Sequence, residues 1–292
     1  MHELPRPRPG REEVVVRVRA CGVCGSDLNA WRGVPGIEYP LDPGAPGHEV
    51  FGEVAELGPA VRRLSVGQAV TGLAQRGYAE YVLARADELV PVDGLVLGEP
   101  LACASNVVRR AAVEPQAAVA VVGFGYLAAL VMQLLDPGRQ RHWVAISRRV
   151  DSRDLALRLG ATAAYAFDGV PSDCWEGFPV VIEAAGVQQT LDYASWLVGY
   201  GGRLVIAGYH ADGPRTVNLQ TWNWKGIDVV NAHERQSSVY VRGLRDGLAT
   251  LREHDIDLTA LITHRVPLEE APYALNIAET RPGGFLKAIV EP

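Results

Sequence analysis

The chain has 292 residues, 48% of them hydrophobic and 21% charged, and 28 basic against 34 acidic side chains leave a net charge of −6. That balance excludes a surface built for nucleic acid or an anionic membrane, and no apolar run approaches the roughly 18 residues of a membrane span. The length exceeds one ordinary core and points to two domains, one of which can interrupt the other.

The opening Met-His-Glu-Leu-Pro-Arg-Pro-Arg-Pro-Gly holds no apolar segment of a signal peptide. Four cysteines at irregular spacing make no disulfide framework. The expected compartment is reducing and cytoplasmic. In chain order, Glu13 to Ala20 is β-branched with late alternation and reads as a strand. It delivers the chain into Cys21-Gly22-Val23-Cys24-Gly25-Ser26-Asp27. Residues 29–47 carry four prolines and four glycines and are expected to be an irregular loop, ending at Pro46-Gly47-His48-Glu49.

Cys24 and His48 offer a soft thiolate and an imidazole, the pair that zinc prefers over hard cations. The Ser26 hydroxyl and the carboxylates of Asp27 and Glu49 stand beside them in sequence. Two such donors with a nearby hydroxyl suggest a catalytic metal, because a structural site is closed by four strong ligands. A lone Cys-x-x-Cys is more often a pair of small core residues, and His48 alone equally suits a hydrogen-bonded loop histidine. From Val50 a strand and turn follow, and short apolar runs at Ala69–Leu73, Tyr78–Leu83 and Glu88–Val92 suggest a small, irregular β-rich domain.

The character changes at Gly98-Glu99-Pro100-Leu101. The stretch Leu101–Val113 is rich in alanine and carries Arg109-Arg110, as a helix with a basic last turn does. Glu99 reads either as a helix-start acid facing the helix dipole or, at the junction of two domains, as a third metal ligand. Next, the β run Ala118–Val122 feeds Gly123-Phe124-Gly125-Tyr126-Leu127-Ala128 and a helix from Leu127 to Leu135. This is the Gly-x-Gly-x-x-Ala dinucleotide turn in its strand-to-helix context. Gly123 suits the tight turn, and Gly125 lets a pyrophosphate approach the backbone at a helix N-terminus. Phe124, Tyr126 and Leu127 complete the expected cofactor-binding turn. A second strand, His142–Ile146, ends at Ser147-Arg148-Arg149 before a helix over Ser152–Leu159. Apolar β segments at Val180–Glu183 and Arg203–Ala207, separated by a helix over Gln188–Val198, complete the alternation of a doubly wound parallel sheet. A helix near Tyr240–Arg252, a mixed stretch Leu258–His264 and a final strand Gly284–Val290 follow.

Cys-Gly-Val-Cys-Gly-Ser-Asp, Pro-Gly-His-Glu, Glu-Pro-Leu, Val-Val-Gly-Phe-Gly, Leu-Gly-Ala-Thr and Gly-Gly-Arg-Leu-Val occur in that order. Together, over nearly the whole chain, they resemble the zinc-dependent medium-chain alcohol/polyol dehydrogenases. The resemblance implies an α/β protein whose GroES-like β-rich catalytic domain (1–100 and 234–292) is interrupted by a Rossmann domain (101–233). It implies one catalytic zinc on Cys24, His48 and Glu99, with Glu49 as a carboxylate beside the metal that can replace water on it. Ser26 is then expected to hydrogen-bond the substrate oxygen and relay its proton. Lys287 falls at a family position near the cofactor pyrophosphate, or is a solvated surface lysine. The implied reaction is hydride transfer between NADP(H) and a small alcohol or carbonyl substrate: a secondary alcohol, polyol, sugar or cyclitol. The alternatives are a zinc-free double-bond reductase of the same superfamily, against which Cys24 with His48 argues, and a non-catalytic NADP(H)-binding scaffold.

Several departures from the family matter. The lobe that holds a structural zinc in long members is cut to Gly72–Tyr78, and with Cys21, Cys24, Cys103 and Cys174 as the chain's cysteines a second zinc is excluded by count. The chain starts roughly at the family's second or third strand, which is expected to leave a sheet edge in need of cover. Asn29 stands where many members place a proton-relay histidine. Ser147 stands where NAD-specific domains place an acid. A serine there can donate to a 2′-phosphate and Arg148, with Arg149 beside it, can pair with that phosphate, so NADP is expected over NAD; otherwise both arginines belong to a solvated loop. The apolar strand Ile227–Val230 near the Rossmann edge leads to an expected homodimer or homotetramer. Trp31, Tyr39 and Trp222 suit either a substrate pocket or packing.

Overall fold

The computed structural model describes residues 3–136 and 142–292. The chain forms two compact units: one takes in residues up to 102 together with 235–246 and 257–292, the other 103–234 with 247–256. The first opens with β1 (Glu13–Gly22), α1 (Asp27–Arg32), β2 (Glu49–Leu57), β3 (Ala69–Gly72), β4 (Tyr81–Arg85) and β5 (Leu89–Pro91). Helix α2 (Gly98–Ala111) carries the chain onward. Then come β6 (Val119–Val122), α3 (Tyr126–Leu135), β7 (Trp143–Ile146), α4 (Val150–Arg158), β8 (Ala163–Tyr165) and β9 (Phe178–Glu183). They are followed by α5 (Gln188–Leu197), β10 (Val198–Ile206), α6 (Leu219–Lys225) and β11 (Asp228–Asn231). The chain closes with α7 (Ser237–Glu253), β12 (His264–Pro267), α8 (Ala271–Thr280) and β13 (Ala288–Glu291).

The first unit is a sheet in the order β12-β13-β1-β2-β3-β5, with β4 also on β1. Its pairings are antiparallel except β12 with β13. β1 is buried along most of its length, which is why alternation shows only late in its sequence. Val14, Val16 and Val18 point into one core with Val50, Val54, Val70, Val82 and Leu89. β2 runs along one side of β1, and β4 with β13 takes the other. The open edge expected from the late start of the chain is therefore not at β1. α1 lies where an irregular loop was expected from residue 29. Asp27 in its first turn and Arg32 in its last complement the helix dipole. Gly33, at φ 69°, closes it in the left-handed conformation. The prolines that made the stretch read as loop begin only after that cap.

The second unit holds a fully parallel sheet in the order β11-β10-β9-β6-β7-β8. β6 and β7 are buried at every position, as strands covered on both faces are. The chain fills the sheet outward from β6 in one direction and then from β9 in the other, so a topological switch point falls between those two strands. Ligands of open α/β sheets bind outside the carboxyl ends at that point. Helix α6, with no counterpart in the sequence reading, is capped by Asn218, whose side chain accepts from Thr221 N at 3.0 Å, and ends on Gly226 at φ 60°. Its last residue, Lys225, is buried, and its Nζ donates to the carbonyls of Ser195, Trp196 and Val198 at 3.2, 3.2 and 3.1 Å. These are orphan acceptors at the end of α5. Lys225→Met is expected to cost roughly 2 kcal/mol in urea unfolding, the scale of hydrogen bonds from a charged donor; an unchanged midpoint would show the cap to be dispensable. Among the described residues no helix is long and apolar enough to cross a membrane.

Candidate active site

β1 ends at Cys21-Gly22, and the chain turns there before α1. Cys21 is fully buried, packed where a Cβ on Gly47 or Gly77 would otherwise lie. Burial, then the nearby Glu49 and Asp27 carboxylates, pushes its thiol well above the ordinary range. It is a core residue. Cys24, one turn further, is partly exposed. Its sulfur, a ring nitrogen of His48 and a carboxylate oxygen of Glu49 lie within 4.8 Å of one another. They are near enough that one zinc ion, with bonds of about 2.0–2.3 Å, would be held once the three donors draw in toward it.

The surroundings of this cluster are built from charge. Asp27, buried in the first turn of α1, accepts from Cys24 N at 2.9 Å and from Tyr78 Oη at 2.6 Å, both on Oδ2. Its other oxygen lies 3.0 Å from His48 Nδ1, which also bonds the Pro46 carbonyl oxygen at 3.0 Å. The Nδ1 proton is thereby committed, and Nε2, 3.5 Å from Ser26 Oγ, is the nitrogen left to face a metal. Burial would lower the His48 pKa, but Asp27 and Cys24 outweigh it and raise it to about 12. A metal on Nε2 takes the place of the second proton that these anions hold there. Burial first, then Asp27, keeps the Tyr78 phenol well above its usual pKa, so it remains a donor.

Glu49, at the start of β2, is buried against Lys287, whose Nζ donates to Oε1 at 2.7 Å, lies 2.5 Å from Oε2 and donates to the Val23 carbonyl at 2.9 Å. The Oε2 contact is a charge pair without hydrogen-bond geometry, so Oε2 remains a buried acceptor with no hydrogen-bond donor, whereas Asp27 Oδ1 faces His48 Nδ1. With Cys24 as thiolate, three anions less one ammonium leave two negative charges at the cluster. Those charges, the orphan Glu49 oxygen and the sulfur, nitrogen and oxygen donor set fit a divalent zinc ion.

In the second unit, Gly123 takes φ 89° at the end of β6, and a Cβ there would meet Ala185 Cβ at 2.6 Å. Gly125 is the N-cap of α3, and a Cβ on it would meet nothing within 4 Å. The open space over its backbone is what a phosphate needs at a helix N-terminus. Phe124 is buried, and Tyr126 and Leu127 are half-buried in the first turn of α3. At the end of β7, Ser147 is buried and Arg148 exposed.

Residues 10–94 match the alcohol dehydrogenase GroES-like domain. D-arabinitol dehydrogenase 1 of Uromyces fabae is 27% identical over 98% of this chain and 92% of that protein. Sorbitol dehydrogenase of Halalkalibacterium halodurans is 24% identical over 100% of this chain and 95% of that protein. A crystal structure from Sinorhizobium meliloti, assigned to the zinc-binding dehydrogenases and bound to NADP, superposes with a TM-score of 0.85 at 25% identity over 99% of this chain and 94% of that one. Along nearly its whole length the chain resembles the medium-chain dehydrogenases/reductases. Its antiparallel unit is the GroES-like domain and its parallel sheet the Rossmann domain.

The structure brings together Cys24, His48 and Glu49, with Ser26 beside His48. Glu99 is not in that group. It stands in the first turn of α2, where the helix dipole favours an acid, while Glu49 is the carboxylate grouped with Cys24 and His48. Glu99→Ala is expected to retain zinc and Glu49→Ala to lose most of it; the reverse result in a metal assay would restore Glu99 as the ligand. Lys287, expected at the cofactor pyrophosphate or in solvent, is buried on Glu49. Trp222 packs in the Rossmann core with its Nε1 donating to Ser195 Oγ at 3.1 Å, whereas Trp31 and Tyr39 are exposed. Tyr78 escaped the sequence reading, since its bond to Asp27 crosses 51 positions and nothing local marks it. Asp27 orients the imidazole as carboxylates do for metal-bound histidines, and Asp27→Asn is expected to weaken zinc binding by about 10–100-fold.

Proposed function

We propose that this medium-chain dehydrogenase is a zinc-dependent, NADP(H)-preferring enzyme that transfers a hydride between the cofactor and the carbinol carbon of a small secondary alcohol or polyol. The convergence of Cys24, His48 and Glu49 carries the reading. Zinc supplies Lewis acidity to the substrate oxygen and NADP(H) the hydride chemistry. The rest falls to the chain's own groups. Asp27 holds the proton on His48 Nδ1. Lys287 fixes Glu49 and offsets its charge. Ser26 Oγ, beside His48 Nε2, hydrogen-bonds the substrate hydroxyl and takes its proton toward solvent, because Asn29 in α1 cannot titrate. The polyol class is supported by relatives that act on arabinitol and sorbitol, and NADP by the dinucleotide bound in the Sinorhizobium structure. The test is NADP+ reduction by a panel of polyols and secondary alcohols, with metal content measured on the same protein. Full activity in a metal-free preparation would overturn the reading, and reduction of activated double bonds alone would favour a zinc-free reductase.

The same proposal includes a homo-oligomer. β11 is the outer edge of the parallel sheet, and exposed Leu219 and Trp224 stand on the helix just before it. An open edge beside apolar side chains is a pairing template. Light scattering at micromolar concentration is expected to give a dimer or tetramer, reduced to a monomer by Val229→Lys; a monomeric wild type would refute it.

A further inference from the structure

At the carboxyl ends of the parallel strands, three loops stack on one another. Gly123, after β6, lies against Ala185, after β9; Gly186 lies against the Tyr209 carbonyl, after β10; and Gly208 lies against Gly186 N, with no room for a Cβ at any of the three. Glu183 ends β9 beneath them and is fully buried. Its Oε1 accepts from Ala185 N at 2.8 Å, Gly186 N at 2.7 Å and Thr190 Oγ1 at 2.7 Å. Its Oε2 is 3.0 Å from His210 Nε2. Arg215 Nε donates to His210 Nδ1 at 2.8 Å, and its Nη2 donates to the Gly186 carbonyl at 2.8 Å and pairs with Asp212.

A guanidinium can only donate. His210 Nδ1 is therefore an acceptor, and Nε2 carries the ring proton and donates it to Glu183. Arg215 thus fixes the neutral imidazole in one tautomer, and the imidazole in turn meets the carboxylate that shapes residues 184–187. That loop abuts the Gly123 turn at the switch point, where open α/β sheets bind their ligands. A fold needing only a closed loop would not require a buried carboxylate, whose burial is costly without partners.

We propose that His210 is a positioning residue for the dinucleotide: held between Arg215 and Glu183, it fixes the loop after β9 in the shape that lets the glycine turn receive the cofactor's pyrophosphate. This rests on the dinucleotide half of the proposed function. The experiment is fluorescence titration of NADPH into the zinc-loaded full chain for wild type, His210→Ala, His210→Gln and Arg215→Gln, with thermal midpoint and zinc content recorded. His210→Ala is expected to weaken NADPH about tenfold, the scale of one lost charge-assisted hydrogen bond, with zinc content unchanged. Gln can donate to Glu183 and accept from Arg215, so His210→Gln is expected to stay within about threefold of wild type. Arg215→Gln, altered at the solvent side of the network, is expected to weaken NADPH severalfold. Wild-type affinity in His210→Ala, or Gln as weak as Ala, overturns the proposal. Should His210→Ala not fold, unchanged affinity in Arg215→Gln overturns it instead. A wild type that binds no dinucleotide at all overturns the proposed function itself.

Discussion

Replacing His48 with alanine is expected to strip the metal and lower kcat/KM by at least about a thousandfold. The figure follows from losing a Lewis acid that supplies several kcal/mol of transition-state stabilisation, at about 1.4 kcal/mol per factor of ten. Cys24→Ser is expected to do the same, because a hydroxyl is a harder and weaker donor than a thiolate. Cys21 supplies the control. Its sulfur is packed beside Gly47 and Gly77, so Cys21→Ala is expected to lower stability while keeping one zinc per chain. Zinc retained by His48→Ala, or zinc lost equally from Cys21→Ala, would show that the cluster is not the metal site.

The second large effect is on cofactor choice. Ser147 directly follows β7, its N–H donating to the Tyr165 carbonyl at 3.0 Å. Arg153 Nη1 donates to the carbonyls of Ser147 and Arg148, both at 2.9 Å, and so fixes the backbone from which Arg148 projects. Arg149 leans on Asp151 at 3.4 Å, whereas the exposed Arg148 has no side-chain partner among the described residues. Arg148 is thus the guanidinium available for a 2′-phosphate. Ser147→Asp with Arg148→Ala removes that cation and sets a carboxylate where the phosphate would lie. We expect NADP(H) to be favoured by wild type and the preference to swing by about a hundredfold in the double variant, as one lost charged hydrogen bond plus a new repulsion would give. The measurement is kcat/KM with each cofactor, and a wild type that favours NAD(H) would refute it.

Local physics decided which parts of this fold were legible. The dinucleotide turn is local: buried strand, glycine, helix N-terminus, all within a dozen residues, so spacing alone carries it. The parallel sheet was legible because its strands are apolar on both faces. Short edge elements were not. β8, with every residue half-buried, and β12 lack any run that stands out from loop. α1 was hidden by the prolines that follow it. At the metal cluster Cys24 and His48 were readable as donor types, but the choice between Glu49 and Glu99 depends on where β2 and α2 sit in space. The Glu183–His210–Arg215 network spans 32 positions and carries no motif; only the structure shows a carboxylate turned inward at the end of β9.

Glu49 and Lys287 are separated by 238 positions. A ribosome adding about 5–20 residues per second leaves an interval of roughly 12–48 s between them. Through that interval the nascent chain displays its thiolate, imidazole and carboxylate without the ammonium that steadies Glu49. It also lacks the β13 pairing of Cys21 with Val290 and Gly22 with Ile289. The proposed metal site is thus completed long after its first donors are made, and stable zinc acquisition is expected only once Lys287 has been added. Nascent chains stalled before Lys287 should hold the ion loosely, which ties correct metallation to synthesis of that lysine and of β13 after it.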